Sequence, residues 1–168
     1  MNAQTNAQTN AQTKAQTKAQ TNGVAAARYL VEEVNRAAVD QAGRPRTVLD
    51  VGCGIGLNGA ALKRSGARVV GLEIAPASMA RATKALDEVI ACDITSDASV
   101  RAALGGRRFD LILLADVLEH TVDPLAVLGR LLAHLDEDGQ VIVSLPNIAA
   151  WTVRLGLLGG RFEYTPSG

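Results

Sequence analysis

Four acidic residues recur along the chain at nearly constant spacing. Asp50, Glu73, Asp93 and Asp116 each end or follow a short apolar run, and their separations are 23, 20 and 23 residues. Ionised carboxylates accept hydrogen bonds and attract positive charge. If the four acids meet in the folded chain, they form a site suited to a cationic small molecule.

A glycine-rich segment follows the first of these acids. Gly52, Gly54 and Gly56 alternate with other residues directly after an apolar strand pattern. Residues without a Cβ atom allow a sharp turn close to a ligand, and the N–H groups of a following helix point to the same place. The stretch 54–59 also fits the dinucleotide fingerprint GxGxxG, with Glu73 near the place of its ribose-binding acid. A nicotinamide-dependent oxidoreductase is therefore an alternative, although a pyrophosphate suits these acids poorly.

Alternating strand and helix patterns must position these residues. Strands are predicted at 47–51, 68–72, 89–92, 109–115 and 140–145, with Gly139 opening the fifth. Helices are predicted at 58–65, at 76–86, from Ser96 or Asp97 to Gly105, and from Pro124 with Asp123 as its cap. This alternation predicts an α/β fold with a Rossmann-like, doubly wound parallel sheet, whose carboxyl edge binds the ligand.

Two further helical stripes complete this interpretation. The first helix carries apolar residues at helical spacing before the stop at Gly43 and Pro45. The helix after Asp123 carries leucines at the same spacing, with His134 expected on its solvent side. The stripes are Ala27, Leu30, Val31, Val34 and Ala38 in the first helix, and Leu125, Leu128, Leu131, Leu132 and Leu135 in the second.

The segment Asp50–Gly56, taken with the later acids, resembles motif I of the class I S-adenosylmethionine-dependent methyltransferases. The resemblance implies that Glu73 accepts hydrogen bonds from both ribose hydroxyls and that Asp93 binds the adenine amino group. Ile74 and Ile94 are then expected to pack on the faces of the adenine ring. It also implies that Asp50 and the loop carbonyls face the ammonium of the methionine moiety.

The expected S-adenosyl-L-methionine site comprises Asp50, Gly52, Cys53, Gly54, Gly56, Glu73, Ile74, Asp93, Ile94, Ala115 and Asp116.

The resemblance implies methyl transfer in which the cofactor supplies the reactive group and the protein aligns the acceptor. His120, just after the fourth strand, is the expected catalytic base, and a hydrogen bond to a backbone carbonyl is its alternative role. Asp116, Glu119 and His120 also form DxxEH, similar to the ExxEH metal motif of some quinone and RNA methyltransferases. No fourth ligand is visible in the sequence, so we expect no bound metal.

The acceptor is expected to be a small molecule, with a sugar or a lipid-linked precursor as candidates. The segment 109–147 resembles bacterial methyltransferases of methionine, quinone and surface-sugar pathways, and residues 148–162 look most like the methionine-pathway or surface-polysaccharide enzymes. The family has seven strands in its sheet, and only five are visible here. The sequence therefore predicts either a truncated chain or a protein that tolerates a shortened sheet, with a catalytically silent S-adenosylmethionine-binding fragment as an alternative function.

Composition sets the remaining expectations. The chain has 168 residues and no formal net charge, which gives no basic surface for nucleic acid, and no apolar stretch is long enough to span a membrane. Residues 1–22 carry NAQT and KAQT repeats and are predicted to be a disordered tail before the methyltransferase domain of residues 23–168. Cys53 and Cys92 form no disulfide pattern, which favours the cytoplasm. An apolar sheet edge at 140–145 predicts self-association.

Overall fold

The computed structural model of the chain describes residues 33–146, together with the single positions 158 and 160. Within this range five parallel strands form one sheet in the order β3-β2-β1-β4-β5. The predicted Rossmann-like α/β fold is confirmed. The strands are β1 (Thr47–Val51), β2 (Arg68–Glu73), β3 (Glu88–Ala91), β4 (Phe109–Ala115) and β5 (Leu135–Ser144).

Five helices cover both faces of this sheet. On one face, Ala38, Leu62 and Ala82 from the first three helices pack against apolar residues of the strands. On the other face, Val100, Leu104, Val127 and Leu131 from the last two helices do the same. The helices are α1 (Arg36–Gln41), α2 (Leu57–Arg64), α3 (Pro76–Ala82), α4 (Asp97–Leu104) and α5 (Pro124–Leu132), and a 3₁₀ turn spans Leu118–His120.

Side-chain caps set the starts of α4 and α5. The Ser96 side chain accepts a hydrogen bond from the Ser99 amide, and the Asp123 side chain accepts one from Ala126. Each cap satisfies an amide that has no partner inside the helix. Both predicted starts are confirmed, as is the end of α4 at Gly105.

Two predicted helices are longer than the observed ones. The first was expected to run through Val34, but α1 begins at Arg36 because the Asn35 side chain caps the Ala38 amide at 3.1 Å. The remainder of that prediction, before residue 33, lies outside the described residues. The third was expected to continue to Leu86, but α3 ends at Ala82, and residues 83–87 form turns and bends. This turn brings Leu86 into the core, where it is buried.

The last strand begins earlier than predicted. Leu135 pairs with Phe109, and regular pairing resumes only between Gln140 and Leu111, so residues 136–139 bulge out of the ladder. Gly139 lies inside β5 and does not open it. A Cβ atom at Gly139 would lie 2.8 Å from the Leu135 side chain, so the bulge requires glycine.

The leucine stripe and the position of His134 also need correction. Leu131 and Val127 are buried, but Leu125 is 80% exposed and Leu132 also reaches solvent. The buried face of α5 is therefore rotated away from the predicted one. His134 is only 7% exposed, because its ring Nδ1 bonds the Arg107 carbonyl at 3.0 Å.

Among the described residues, no helix has the length and apolar character needed to cross a membrane.

Candidate functional site

The sequence-predicted acids lie at the carboxyl edge of the sheet. Asp50 is in β1, Glu73 ends β2, and Asp116 directly follows β4. β1 lies between β2 and β4. The strand order reverses here, because β2 and β3 lie on one side of β1 and β4 and β5 lie on the other. Parallel α/β folds bind ligands in the crevice at such a switch point.

The glycine loop adopts the backbone conformations that its sequence predicts. Gly52, Gly54 and Gly56 have φ angles of 61°, 54° and 85°, which lie in the left-handed region. The space beside them differs. A Cβ atom at Gly52 would lie 2.9 Å from the Val117 side chain, whereas one at Gly54 would meet nothing within 4 Å. Gly54 therefore leaves an open space above the loop.

Glu73 ties this loop to the end of β2. One carboxylate oxygen accepts a hydrogen bond from the Gly54 amide at 2.9 Å. The other accepts from the Ile74 and Ala75 amides at 2.7 and 2.8 Å. A carboxylate has about four acceptor positions, so three of them are used within the protein. The ribose role of Glu73 stays a prediction, and its role in holding the loop is visible.

Asp50 is buried beneath the start of α2. Its carboxylate accepts a hydrogen bond from the Gly59 amide at 3.0 Å. Burial raises the pKa of Asp50 to about 7, the Gly59 bond opposes this rise, and the charge of Glu73 adds to it. Asp50 thus joins β1 to α2. The predicted contact with an ammonium group stays a prediction.

Asp93 is exposed and organises the turn before α4. Its carboxylate accepts hydrogen bonds from the Thr95 hydroxyl and the Thr95 amide, and these bonds lower the pKa of Asp93. Ile74 is exposed and Ile94 is half-buried. Both isoleucines lie in the loops that follow β2 and β3, on the edge where an adenine ring was predicted, and their contact with it stays a prediction.

Asp116 belongs to a polar network that sequence reasoning missed. The Ser144 hydroxyl donates to its carboxylate at 3.0 Å, and the Asn35 side-chain amide donates to Ser144 at 2.8 Å and to Asp116 at 3.4 Å. Asp116 has a φ of 57°, unusual for a residue with a side chain. The network joins the segment before α1 to the ends of β4 and β5. Asn35 could have been found from its preference for helix caps.

Leu86 supports the glycine loop from below and was also missed. It lies against the backbone of three glycines on three elements, because a Cβ atom at Gly56, Gly59 or Gly71 would lie 3.2, 2.7 or 2.7 Å from its side chain. The absence of side chains at these glycines therefore makes room for one leucine. Close packing of this kind fixes the loop on the sheet.

Cys53, the base candidate His120 and the residues of the DxxEH motif differ in their surroundings. Cys53 is a buried free thiol, and burial, followed by the nearby Asp50 charge, raises its pKa, which disfavours the thiolate. His120 is exposed at the end of the 3₁₀ turn, on the same edge as Asp116. In the described part of the chain, Asp116, Glu119 and His120 do not gather into a cluster that could hold a metal ion.

Comparison with known proteins gives a family for this fold and site. A family model described as "Methyltransferase domain" matches residues 23–165. A ubiquinone biosynthesis O-methyltransferase of Azorhizobium caulinodans is 33% identical over 124 residues, which cover 72% of this chain and 49% of the relative. The chain belongs to this methyltransferase domain family.

Solved structures are similar in fold. The SAM-bound amino pentose methyltransferase CalS10 of Micromonospora echinaspora is 26% identical with a TM-score of 0.58, and the match covers 73% of this chain and 55% of that one. The plantazolicin methyltransferase BpumL in complex with SAH is 18% identical with a TM-score of 0.59, covering 92% and 59%. The fold is thus that of class I methyltransferases. The chain spans about half the length of the curated relatives it matches.

Proposed function

We propose that this chain binds S-adenosylmethionine at the carboxyl edge of the sheet and transfers its methyl group to a small-molecule acceptor. The observation that carries the proposal is the glycine loop held by Glu73, with open space above Gly54, at the switch point of the sheet. Membership of the methyltransferase domain family supports it.

The charges of the site fit this cofactor. S-adenosylmethionine carries a sulfonium and an ammonium, and acids from β1, β2 and the loops after β3 and β4 line the same edge. The cofactor supplies the methyl group, while Asp116 and the loop amides would orient it and the acceptor. A nicotinamide dinucleotide would place its phosphates close to Glu73 and Asp50 and would bind poorly.

Titration calorimetry with S-adenosylhomocysteine tests the binding step. Glu73→Ala should weaken the affinity by about 2–3 kcal/mol, because charge-assisted hydrogen bonds to the ribose hydroxyls are lost. Glu137→Ala, which removes an exposed carboxylate from the β5 bulge, serves as the matched control and should leave the affinity unchanged. Equal affinities for all three proteins would exclude Glu73 from the site.

A stability measurement must accompany this titration, since Glu73 also holds the Gly54, Ile74 and Ala75 amides. Glu73→Gln retains one acceptor oxygen and should be closer to the parent in thermal unfolding. If it folds well and still binds weakly, the loss is at the ligand. Binding of NAD in place of S-adenosylhomocysteine would overturn the proposal in favour of an oxidoreductase.

The acceptor is proposed to be methylated on a hydroxyl. Relatives named ubiquinone biosynthesis O-methyltransferases support a ring hydroxyl of a quinone precursor, and the relative acting on an amino pentose keeps a sugar as the second candidate. The lipid-linked precursor expected from the sequence has less support. The two buried free cysteines, Cys53 and Cys92, fit the proposed cytoplasmic location, where thiols stay reduced.

His120 is the proposed base for that hydroxyl, because it is exposed beside Asp116 on the edge where the methyl group would lie. His120→Gln should lower kcat by about 10²–10⁴-fold and leave the affinity for S-adenosylhomocysteine unchanged. Methyl transfer to phenolic and sugar probes measures the first quantity, with EDTA present to show that no metal is needed. Tight cofactor binding with no turnover on any probe would instead support a catalytically silent binding chain.

A further inference from the structure

A groove runs between α4 and α5, on the face of the sheet opposite α1, α2 and α3. Its volume is about 680 Å³, within the range of small-molecule sites. The loop before β4 and the loop before β5 line one end of this groove. The groove therefore reaches the amino edge of the sheet at this end, and its other end lies at the starts of α4 and α5, by Asp97 and Ala126.

Positive charge dominates the lining of this groove. Four arginines line it, Arg101, Arg107, Arg108 and Arg130, against the single acid Asp97. Asp97 pairs with Arg101, and Arg107 pairs with Glu88 outside the groove. Within residues 33–146, neither Arg108 nor Arg130 forms an ion pair. Arg108 donates a hydrogen bond to the Leu135 carbonyl at 2.7 Å, and the charge of Arg130 helps to lower the pKa of Asp93. Both guanidinium groups keep further N–H donors, and arginine matches phosphate geometry well.

His134 adds a buried polar group to the same groove. It is 93% buried (100% minus its 7% exposure), and its Nδ1 lies 3.0 Å from the Arg107 carbonyl. A carbonyl only accepts hydrogen bonds, so Nδ1 carries the hydrogen. The other ring nitrogen, Nε2, has no protein hydrogen-bond partner in the described part of the chain and is not fully buried, because no buried side-chain nitrogen or oxygen there lacks a partner. Nε2 is therefore within reach of a ligand in the groove that His134 lines.

Gly129 keeps the groove open. It lies inside α5, where glycine destabilises a helix by about 1 kcal/mol relative to alanine. Neither of the usual reasons for glycine applies there, because its φ is not positive and a Cβ atom would meet nothing within 4 Å. A larger side chain at this position would instead project into the groove that Gly129 lines.

We propose that this groove binds a small molecule carrying a phosphate or diphosphate group, with Arg108 and Arg130 as its charged contacts and His134 in its wall. The glycine loop does not line this groove and the proposal does not depend on methyl transfer, although the charge of Arg130 also acts on Asp93. The concave shape and two guanidinium groups without an ion pair among the described residues favour a compact anion over an extended one.

Titration calorimetry of the full chain with inorganic pyrophosphate, at low ionic strength, tests this proposal. We expect saturable binding with one site. Arg130→Ala should weaken it at least about tenfold by removing a charge-assisted contact, and Gly129→Leu should weaken it similarly by filling the groove. Arg64→Ala, an exposed arginine at the end of α2 on the other sheet face, is the matched control and should bind as the parent does.

Two further measurements keep the result clear. The titration is repeated with saturating S-adenosylhomocysteine, since pyrophosphate could also reach the loop amides, and binding in the groove should persist. Gly129→Leu should melt no lower than the parent, because leucine favours the helix. The proposal is overturned if pyrophosphate shows no saturable binding to the parent, if S-adenosylhomocysteine abolishes that binding, or if both Arg130→Ala and Gly129→Leu bind as tightly as the parent.

Discussion

At the scale of single residues, the site combines groups with two tasks. Glu73 and Asp50 stand where ligand contacts are proposed, and both already bond amides of the protein, those of Gly54 and Gly59. Their carboxylates therefore shape the loop before any ligand arrives. This dual use explains why a substitution at either residue affects folding as well as binding, and why each needs a test that separates the two.

Asp50 should make stability depend on pH. Its folded pKa is about 7 against an ordinary value of 3.8, so the folded chain keeps a proton that the unfolded chain releases in this range. The free energy of unfolding should therefore fall as pH rises from about 4 to about 7, by on the order of 4 kcal/mol in the limit. Above the folded pKa the dependence on Asp50 ends.

Urea unfolding across this pH range measures the effect. Asp50→Asn keeps an acceptor for the Gly59 amide and carries no charge, so its profile should lack the decline that the parent shows. Asp40→Asn, an exposed position in α1, should follow the parent. Parallel profiles for the parent and Asp50→Asn would contradict the assignment of this proton to Asp50.

At the scale of elements, local signals account for most of the fold. β1 and β4 match their predicted bounds because both are almost fully buried, which requires continuous apolar runs. α4 and α5 begin at their predicted caps because Ser96 and Asp123 act through nearby amides. The early end of α3 and the bulge in β5 depend on contacts made by Leu86 and Gly139, which no local pattern reveals.

The candidate site, like the fold, could be predicted only in part from local sequence patterns. The strand–helix period placed the acids at one edge, because the carboxyl ends of parallel strands share that edge. Their partners were not foreseen. Asn35 and Asp116 are 81 residues apart, and Ser144 and Asp116 are 28 apart, so only the folded chain brings them together.

The packing of Leu86 against the glycine loop gives a test at this scale. Leu86→Ala leaves a cavity beside Gly56, Gly59 and Gly71 and should destabilise the fold by about 2–4 kcal/mol. The same substitution at the exposed Leu125 should cost less than about 0.5 kcal/mol. Chemical denaturation of both variants measures the difference. Similar losses would show that Leu86 is not a packing centre.

At the scale of the whole molecule, β5 is an edge strand of the sheet that the described residues form. Val143 is 40% exposed and Leu145 is also exposed, so this edge offers apolar side chains as well as backbone hydrogen-bonding groups. Such an edge can pair with another chain. The self-association expected from the sequence therefore stays a prediction with a defined surface.

Sedimentation velocity over a range of concentrations tests this surface. The parent should show concentration-dependent association, and Val143→Lys should reduce it, because a lysine on an edge strand opposes pairing. Val122→Lys adds the same charge at a fully exposed position outside the sheet and should not have this effect. A parent that stays monomeric at all concentrations would refute the prediction.

Leu86 packs against Gly56, Gly59 and Gly71, so substitutions at these positions should depend on one another. A methyl group added at Gly71 would lie 2.7 Å from Leu86 and 2.6 Å from the Cys53 sulfur, and one added at Gly59 would lie 2.7 Å from Leu86 and 2.8 Å from the Asp50 carboxylate. Substitutions at Gly59, Gly71 and Leu86 should therefore be correlated among related sequences. Gly71→Ala, harmful alone, should be relieved only in part by Leu86→Val, because the Cys53 sulfur still occupies part of the same space.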